Sequence, residues 1–267
     1  MENFTERVLG RTGLRVGRLG MAASYGAPAS AFEEAFEKGC NYFYVGSGRH
    51  RSGMKQAIRN LCRKGQRDQL VVAIHTYARS GLLTKFLLRK NLRSMGLDQA
   101  DILILGWHNR RPSPKLIDRV MALKENGLFR FLGMSGHNRT LFPKLAATGQ
   151  FDLFHIRYNA AHRGAEEECF PLLMGDDRPG IVTYTATRWG QMLNSVKMPP
   201  GESVPIPSDC YRFVLSNPAV DVCLCGPKNT DQLHQALPAL DLGPLSEDNM
   251  KRMKRIGDHV RKTTRKF

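Results

Sequence analysis

Short apolar runs alternate with amphipathic helical patterns along the chain, and this alternation limits the possible folds more than any other feature. Eight runs read as β-strands, at 18–21, 42–45, 70–75, 101–107, 129–134, 153–157, 181–184 and 220–224. Between them, segments such as 82–95 and 116–123 repeat apolar residues at helical spacing. Strands separated by helices of this length pair in parallel through crossovers. Eight such units predict a closed (β/α)₈ barrel.

Chain length and helix-end signals agree with this prediction. The chain has 267 residues, and α/β barrels of ~250 residues commonly form one domain. We therefore predict a single domain over 1–267. Ser80 and Ser113 precede helical patterns as N-caps, with Pro114 at a first helical position, and Gly127 reads as a helix stop.

The N-terminal segment carries a second, smaller motif. Residues 8–16 read as a β-hairpin with its turn at 11–13, which we expect to close the N-terminal mouth of the barrel. No stretch reaches the ~18 apolar residues that a membrane span needs. Residues 1–7 are polar and lack the apolar segment of a signal peptide. We therefore expect a cytoplasmic protein that does not enter a membrane.

The formal net charge of +16, from 40 Lys and Arg against 24 Asp and Glu, favours anionic partners. A phosphorylated cofactor, an anionic small molecule or nucleic acid would each fit that charge. We disfavour nucleic acid because the sequence contains no zinc finger and no aromatic–basic RNA-binding motif. The six cysteines have no metal-binding spacing, and no His, Asp and Glu set has one. We predict no metal site and reduced, buried thiols.

Six short motifs occur in order over nearly the whole chain. They are LGRTGLRV at 9–16, GCNYF at 39–43, RFLGMS at 130–135, YN at 158–159, IVTY at 181–184 and GPKN at 226–229. Together they resemble the N-terminal hairpin, second, fifth, sixth and seventh strands, and final loop of the aldo-keto reductases. The resemblance implies a (β/α)₈ barrel with an N-terminal hairpin. It also implies an NADP(H)-dependent oxidoreductase that acts on a small carbonyl compound.

The resemblance assigns residues to the cofactor. They are Ser135, Asn159 and Tyr184 for the nicotinamide, Arg188 for the pyrophosphate, and Lys228, Asn229 and Gln232 for the adenosine half. Two positions depart from the family pattern. Gly136 stands where the family often has asparagine, and His155 stands where a glutamine often helps to hold the amide. The basic loop before the helix at 230–237 still favours a phosphate group.

The catalytic positions depart further. The family uses a tyrosine as proton donor, an aspartate and a lysine that lower its pKa, and a histidine that orients the substrate. Here Tyr44 takes the aspartate position, His75 the lysine position and Gly106 the histidine position, while 47–50 contains no tyrosine. All four positions are changed. A phenol with a pKa near ~10 is a weak acid–base group without such help.

Tyr44, His75 and His108 stand at or just past the ends of three successive predicted strands, which converge on one pocket in a barrel. We hypothesise that Tyr44 and His75 form a substitute proton-transfer pair, with His108 beside them. Histidine exchanges protons near neutral pH. The alternative is that these side chains only fill the space of the lost catalytic group.

Four further residues are expected to line the substrate pocket, namely Tyr25, Arg49, Trp107 and Trp189. Arg49 would clamp an anionic substrate, or else lies in a solvated turn. Two functions follow. The first is an NADP(H)-dependent oxidoreductase with an altered acid–base site that acts on a carbonyl compound or an anionic small molecule. The second is a catalytically silent barrel that binds NADPH or another anion as a sensor or partner protein.

Overall fold

The computed structural model describes residues 4–263. Eight parallel strands close into a barrel, and two further strands form a separate antiparallel sheet. The strands are β1 Glu6–Val8, β2 Arg15–Gly17, β3 Leu19–Ala22, β4 Tyr42–Val45, β5 Val71–Thr76, β6 Ala100–Leu105, β7 Phe129–Gly136, β8 Leu153–Arg157, β9 Gly180–Tyr184 and β10 Val222–Cys225. The order around the barrel is β10-β3-β4-β5-β6-β7-β8-β9. The predicted (β/α)₈ barrel is confirmed.

Helices follow the barrel strands and cover the outside of the barrel. They are α1 Ala29–Glu37, α2 Ser52–Arg63, α3 Gly81–Met95, α4 Pro114–Glu125, α5 Leu141–Ala146, α6 Ala165–Glu168, α7 Pro207–Leu215, α8 Thr230–Ala236, α9 Pro238–Asp241 and α10 Glu247–Thr263. The predicted caps are present: the side chain of Ser80 accepts from Leu83 N, and that of Ser113 accepts from Leu116 N. No helix within residues 4–263 is long and apolar enough to cross a membrane.

Alternate residues of each barrel strand belong to two different cores. On β5, Ala73 packs inside the barrel whereas Val72 and Ile74 pack outward against the helices. All six residues of β5 are buried, as are all six of β6. Strands covered on both faces therefore read as continuous apolar runs, which is why the sequence shows their positions so clearly.

The N-terminal hairpin is also confirmed, with β1 pairing antiparallel to β2. A 3-10 turn at Gly10–Thr12 and a left-handed Gly13 connect the two strands. Leu9 and Val16 are fully buried and belong to the core inside the barrel. Leu9 packs so closely on Gly180 that a β-carbon there would overlap its side chain. The hairpin therefore closes the N-terminal end, and a ligand can enter only from the carboxyl ends of the strands.

The fourth barrel strand, β6, ends earlier than predicted, because the chain turns at Gly106 and Trp107. β6 stops at Leu105, and Trp107 adopts a left-handed backbone with φ of 53°. A non-glycine residue rarely adopts this conformation, and such residues often stand at functional sites. The predicted strand over 101–107 was therefore too long by two residues.

Candidate functional site

A cavity of about 650 Å³ opens at the carboxyl ends of the barrel strands. Aromatic and small residues dominate its wall, and the wall includes Tyr25, Tyr44, His75, Tyr77, Trp107, Ser135, His155, Arg157, Tyr184, Trp189 and Lys228. No Asp or Glu of residues 4–263 lines it. Its volume is within the range of small-molecule sites, and its position is where barrel enzymes carry their active sites.

Tyr44 and His75 lie side by side on the floor of this cavity. They project from neighbouring strands β4 and β5, and their ring centroids are 5.7 Å apart in an edge-on arrangement. Tyr77 packs against the other side of the His75 ring, with centroids 4.3 Å apart. No hydrogen bond joins Tyr44 to His75. The two rings are in contact, but they do not form a proton-transfer pair in this structure.

His75 fits the cavity floor because residue 106 has no side chain. A β-carbon at Gly106 would overlap the Nε2 atom of His75. Nδ1 of His75 is buried and has no hydrogen-bond partner among the described residues. Burial, and then the charge of Arg79, lowers the pKa of His75 to about 4. The imidazole is therefore neutral at physiological pH and occupies the space beside residue 106.

The phenol of Tyr44 is a weak acid in this site. Burial, followed by the neighbouring tyrosines Tyr77, Tyr184 and Tyr25, raises its pKa above the ordinary value. None of these neighbours is a cation, so the lysine–aspartate pair of the family has no electrostatic equivalent here. Tyr44 therefore remains protonated across the physiological pH range, and its hydroxyl group can donate or accept a hydrogen bond.

His155 is a site residue whose partner the sequence did not reveal. Its Nε2 atom is 2.8 Å from the hydroxyl of Tyr42, which is fully buried beneath the cavity. Within residues 4–263 the phenol has no other partner, so its hydrogen is satisfied only if it donates to Nε2. Burial, and then His75, lowers the pKa of His155 to about 3. We therefore assign a neutral ring that carries its hydrogen on Nδ1, the nitrogen left for a ligand.

The loop after β9 forms one side of the cavity in a strained conformation. Thr185, Arg188 and Trp189 all have positive φ, at 66°, 49° and 53°. The backbone N–H groups of Ala186, Thr187 and Trp189 donate to no acceptor among the described residues. Free N–H groups in a turn of this kind form an anion-binding concavity.

Comparison with solved structures identifies the architecture. The holo form of aldo-keto reductase AKR11C1 from Bacillus halodurans superposes with a TM-score of 0.78 over 94% of this chain and 95% of that one, at 19% identity. Its apo form gives a TM-score of 0.76 at 20% identity, with the same coverage. The chain has the aldo-keto reductase fold. No family model and no curated protein matches the sequence.

Within the aldo-keto reductase fold, the residues expected around the nicotinamide are only partly in the cavity. Ser135 and Tyr184 line it. The Ser135 hydroxyl accepts from the backbone N–H of Trp107 at 3.2 Å. Asn159 is fully buried outside the wall, where its amide donates to Thr185 O at 2.8 Å and its oxygen accepts from Ala161 N at 3.0 Å. Its bonds hold the strained loop, so it reaches a ligand only by breaking them.

The residues expected at the adenosine half serve as a helix cap in this structure. The Asn229 side chain accepts from Gln232 N, and the Gln232 side chain accepts from Lys228 N, each at 3.0 Å. Lys228 and Gln232 line the cavity, whereas Asn229 does not. Because Asn229 and Gln232 satisfy this cap, the ammonium of Lys228 is the group that remains for a phosphate.

Three further predicted site residues lie away from the cavity wall, contrary to the expected placement. The backbone N–H of His108 donates to Ser135 O, which turns the imidazole outward to Arg79, 3.1 Å from Nε2. Arg49 is exposed on its loop, where the neighbouring Arg51 donates to the carbonyls of Gly46 and Gly48 instead. Arg188, a residue of the strained loop, is only 5% exposed and is not part of the cavity wall.

The other predicted pocket residues, Tyr25, Trp107 and Trp189, line the cavity and remain 42–59% exposed. Tyr25 lies on Gly226, where a β-carbon would overlap its ring. Gly136 is equally restricted, because a side chain there would overlap the carbonyl oxygen of His108. The family's asparagine therefore has no room at 136. No group of three or more His, Cys, Asp or Glu within residues 4–263 is placed to hold a metal ion.

Proposed function

We propose that this protein is an NADP(H)-dependent oxidoreductase that reduces the carbonyl group of a small molecule. One observation carries the proposal: Tyr44, His75 and His155 converge on the floor of an aromatic cavity that also presents Ser135 and Tyr184. The free N–H groups of the loop after β9 and the ammonium of Lys228 fit the phosphates of a dinucleotide. A bound reduced nicotinamide would supply the hydride.

The chain's own residues would supply the proton and hold the carbonyl. The Tyr44 hydroxyl and the Nδ1–H of His155 are the donors that face a carbonyl oxygen as it becomes negative. An alkoxide is more basic than a phenolate, so a buried phenol with a raised pKa still gives up its proton to it. The reverse reaction needs a base, and neutral His75, with its pKa of about 4, is a weak one.

A catalytically silent barrel that binds NADPH or another anion is the second candidate. It is favoured by the missing hydrogen bond between Tyr44 and His75, whose rings touch only edge-on. A sensor or partner protein needs the phosphate-binding loop and the aromatic wall, but it needs no proton donor. The two candidates therefore share ligand binding and differ in turnover.

Titration of the protein with NADPH, followed by Trp107 and Trp189 fluorescence, tests the shared step. Both indoles line the cavity, so we expect saturable quenching at micromolar NADPH and weaker quenching by NADH. Absence of binding at millimolar NADPH would overturn both the cofactor and the oxidoreductase assignment.

A carbonyl screen with NADPH then separates the two candidates. For a reductase we expect Tyr44→Phe and His155→Ala each to lower kcat by about 10²-fold or more, with NADPH affinity retained. His259→Ala, on α10, is the matched histidine control and should behave as the unmodified protein. NADPH binding without turnover of any carbonyl would favour the silent barrel. Equal turnover by Tyr44→Phe would exclude Tyr44 as the proton donor.

A further inference from the structure

The first two turns of α3 expose apolar side chains at the cavity end of the barrel, since this helix follows the carboxyl end of β5. Leu82, Leu83 and Phe86 are 81%, 48% and 60% exposed. The helix start is well anchored, because Leu83 N donates to the Ser80 hydroxyl and the Thr84 hydroxyl donates to Ser80 O. Single exposed apolar residues are common, but three neighbours on one helix indicate an interaction surface.

Cations flank these apolar side chains on the same helix. At about 3.6 residues per turn, Lys85 and Arg89 lie to one side of Leu82 and Phe86, and Lys90 lies to the other. All three cations are exposed. The ion pairs of the neighbouring elements within residues 4–263 involve other cations. The exposed side of α3 is therefore an apolar stripe between positive charges.

The loop after β6 continues this surface beside the cavity mouth. Arg79, in the loop before α3, donates to the carbonyl oxygen of Trp107 at 2.8 Å. The rings of Tyr77 and Trp107 are 6.5 Å apart, and both are about half exposed. Arg110 and Arg111 follow, and both are exposed. Residues 77–93 and 107–111 together are called the α3 face below.

The α3 face has no carboxylate to compensate its charge. The sequence contains no Asp or Glu at 69–97 or at 102–117. The nearest ones, Asp98 and Asp118, lie beyond the far end of α3 and one turn into α4. Burial, and then nearby cations, lowers the pKa of Lys55 on the adjacent α2 to about 8. An excess of one charge over such an area attracts a partner of the opposite sign.

An anionic bilayer fits this combination better than a protein or a nucleic acid does. A stable protein interface needs about 20–30 residues from each partner, whereas the apolar stripe has three. Nucleic acid would satisfy the cations but would leave the aliphatic side chains in water. At a membrane surface, leucine and phenylalanine insert among the acyl chains, aromatic rings lie at the headgroups, and each nearby Lys or Arg adds affinity for anionic lipid.

We propose that the α3 face docks this protein on the surface of a membrane that contains anionic lipids, with Leu82, Leu83 and Phe86 inserted. Such docking requires no membrane-spanning helix, and residues 4–263 contain none. It would turn the cavity mouth towards the lipid, because Tyr77 and Trp107 also line the cavity. The inference goes beyond the proposed function and does not depend on it, since docking needs no nicotinamide.

Co-sedimentation of the protein with lipid vesicles tests the docking. We expect binding to vesicles of phosphatidylcholine and phosphatidylserine, and binding about 10-fold weaker or more to phosphatidylcholine alone. The double variant Leu82→Gln/Phe86→Gln should lose about 10-fold or more in affinity for the anionic vesicles, because it removes two inserted side chains. Leu172→Gln/Leu242→Gln is the matched control, since both leucines are exposed and lie outside the α3 face. Its affinity should equal that of the unmodified protein.

A second pair of variants tests the charges. Lys85→Gln/Lys90→Gln should weaken binding to the anionic vesicles by about 10-fold. Lys38→Gln/Lys144→Gln removes two exposed lysines from elsewhere on the surface and should change the affinity far less. Far-ultraviolet circular dichroism of each variant checks that a loss of binding is not a loss of fold.

Three outcomes would overturn the docking. They are no binding to phosphatidylserine vesicles, unchanged binding by Leu82→Gln/Phe86→Gln, and binding to single-stranded RNA, without vesicle binding, that requires Lys85 and Lys90. The last would assign the α3 face to nucleic acid. Vesicle binding that requires Leu82 and Phe86, in a protein that does not bind NADPH, would support the docking and refute the proposed reductase.

Discussion

Gly106 and His75 show how one missing side chain reorganises a catalytic site. In the family that this chain resembles, a histidine stands at position 106 and a lysine at position 75. Here the imidazole comes from the third barrel strand and occupies the space above the end of the fourth. A histidine is therefore retained on the cavity floor, but it projects from the neighbouring strand.

A double-mutant cycle tests this exchange. Gly106→Ala places a β-carbon on Nε2 of His75, so we expect a loss of about 1–3 kcal/mol in the free energy of unfolding. In the His75→Ala background the same substitution should cost less than about 1 kcal/mol, because the overlapping ring is gone. Urea denaturation of the four proteins measures both values. Additive costs would show that the imidazole does not occupy this space.

At the scale of elements, aspartates join neighbouring strands at the closed end of the barrel. Asp101 accepts from Val72 N, Asp152 from Leu132 N and Asp221 from Ile181 N, at 2.7–2.8 Å. Each carboxylate also pairs with a cation of the same region. They therefore fix the strand register at the end of the barrel opposite the cavity. Residues at that end contribute to stability and not to ligand binding.

Asp221 is the most buried of the three and should contribute most. It is fully buried and accepts two hydrogen bonds from Arg178. We expect Asp221→Asn to lower the free energy of unfolding by about 3 kcal/mol, because it leaves that guanidinium without its counter-charge. The matched variant Asp152→Asn should cost about 1 kcal/mol, since its Lys124 partner is 30% exposed. Equal losses would show that burial does not set the contribution.

At the scale of the whole molecule, buried neutral histidines make the fold sensitive to acid. Folding lowers the pKa of His75 to about 4 and that of His155 to about 3, from 6.5 in the unfolded chain. Below pH 6.5 these two histidines bind protons in the unfolded state but remain neutral in the folded state. Stability is therefore greatest above pH 6.5 and falls as the pH decreases towards 4.

Urea denaturation between pH 7.5 and 4.5 measures this loss. Each of these two histidines should contribute a slope of up to about 1.4 kcal/mol per pH unit below pH 6. His155→Gln should reduce the slope by one such contribution. An unchanged slope in His155→Gln would contradict the lowered pKa of His155.

The sequence by itself determined the barrel, the N-terminal hairpin and the helix caps. Strand and helix periodicity report burial along the chain, and each of the eight predicted strands overlaps an observed one. The strand predicted over 101–107 was too long for a local reason. The left-handed backbone at Trp107 involves one residue and therefore leaves no periodic pattern in the sequence.

The tertiary structure alone decided what the cavity contains. His155 and Arg157 alternate with Ile156 at the end of a predicted strand, and that spacing would have placed both on one face. Their partners could not be read in the same way, since Tyr42 is 113 residues from His155 and Trp189 is 32 positions beyond Arg157. Barrel closure brings these distant strand ends together. Periodicity along a chain specifies which face of a strand is buried, but only closure specifies which side chains meet there.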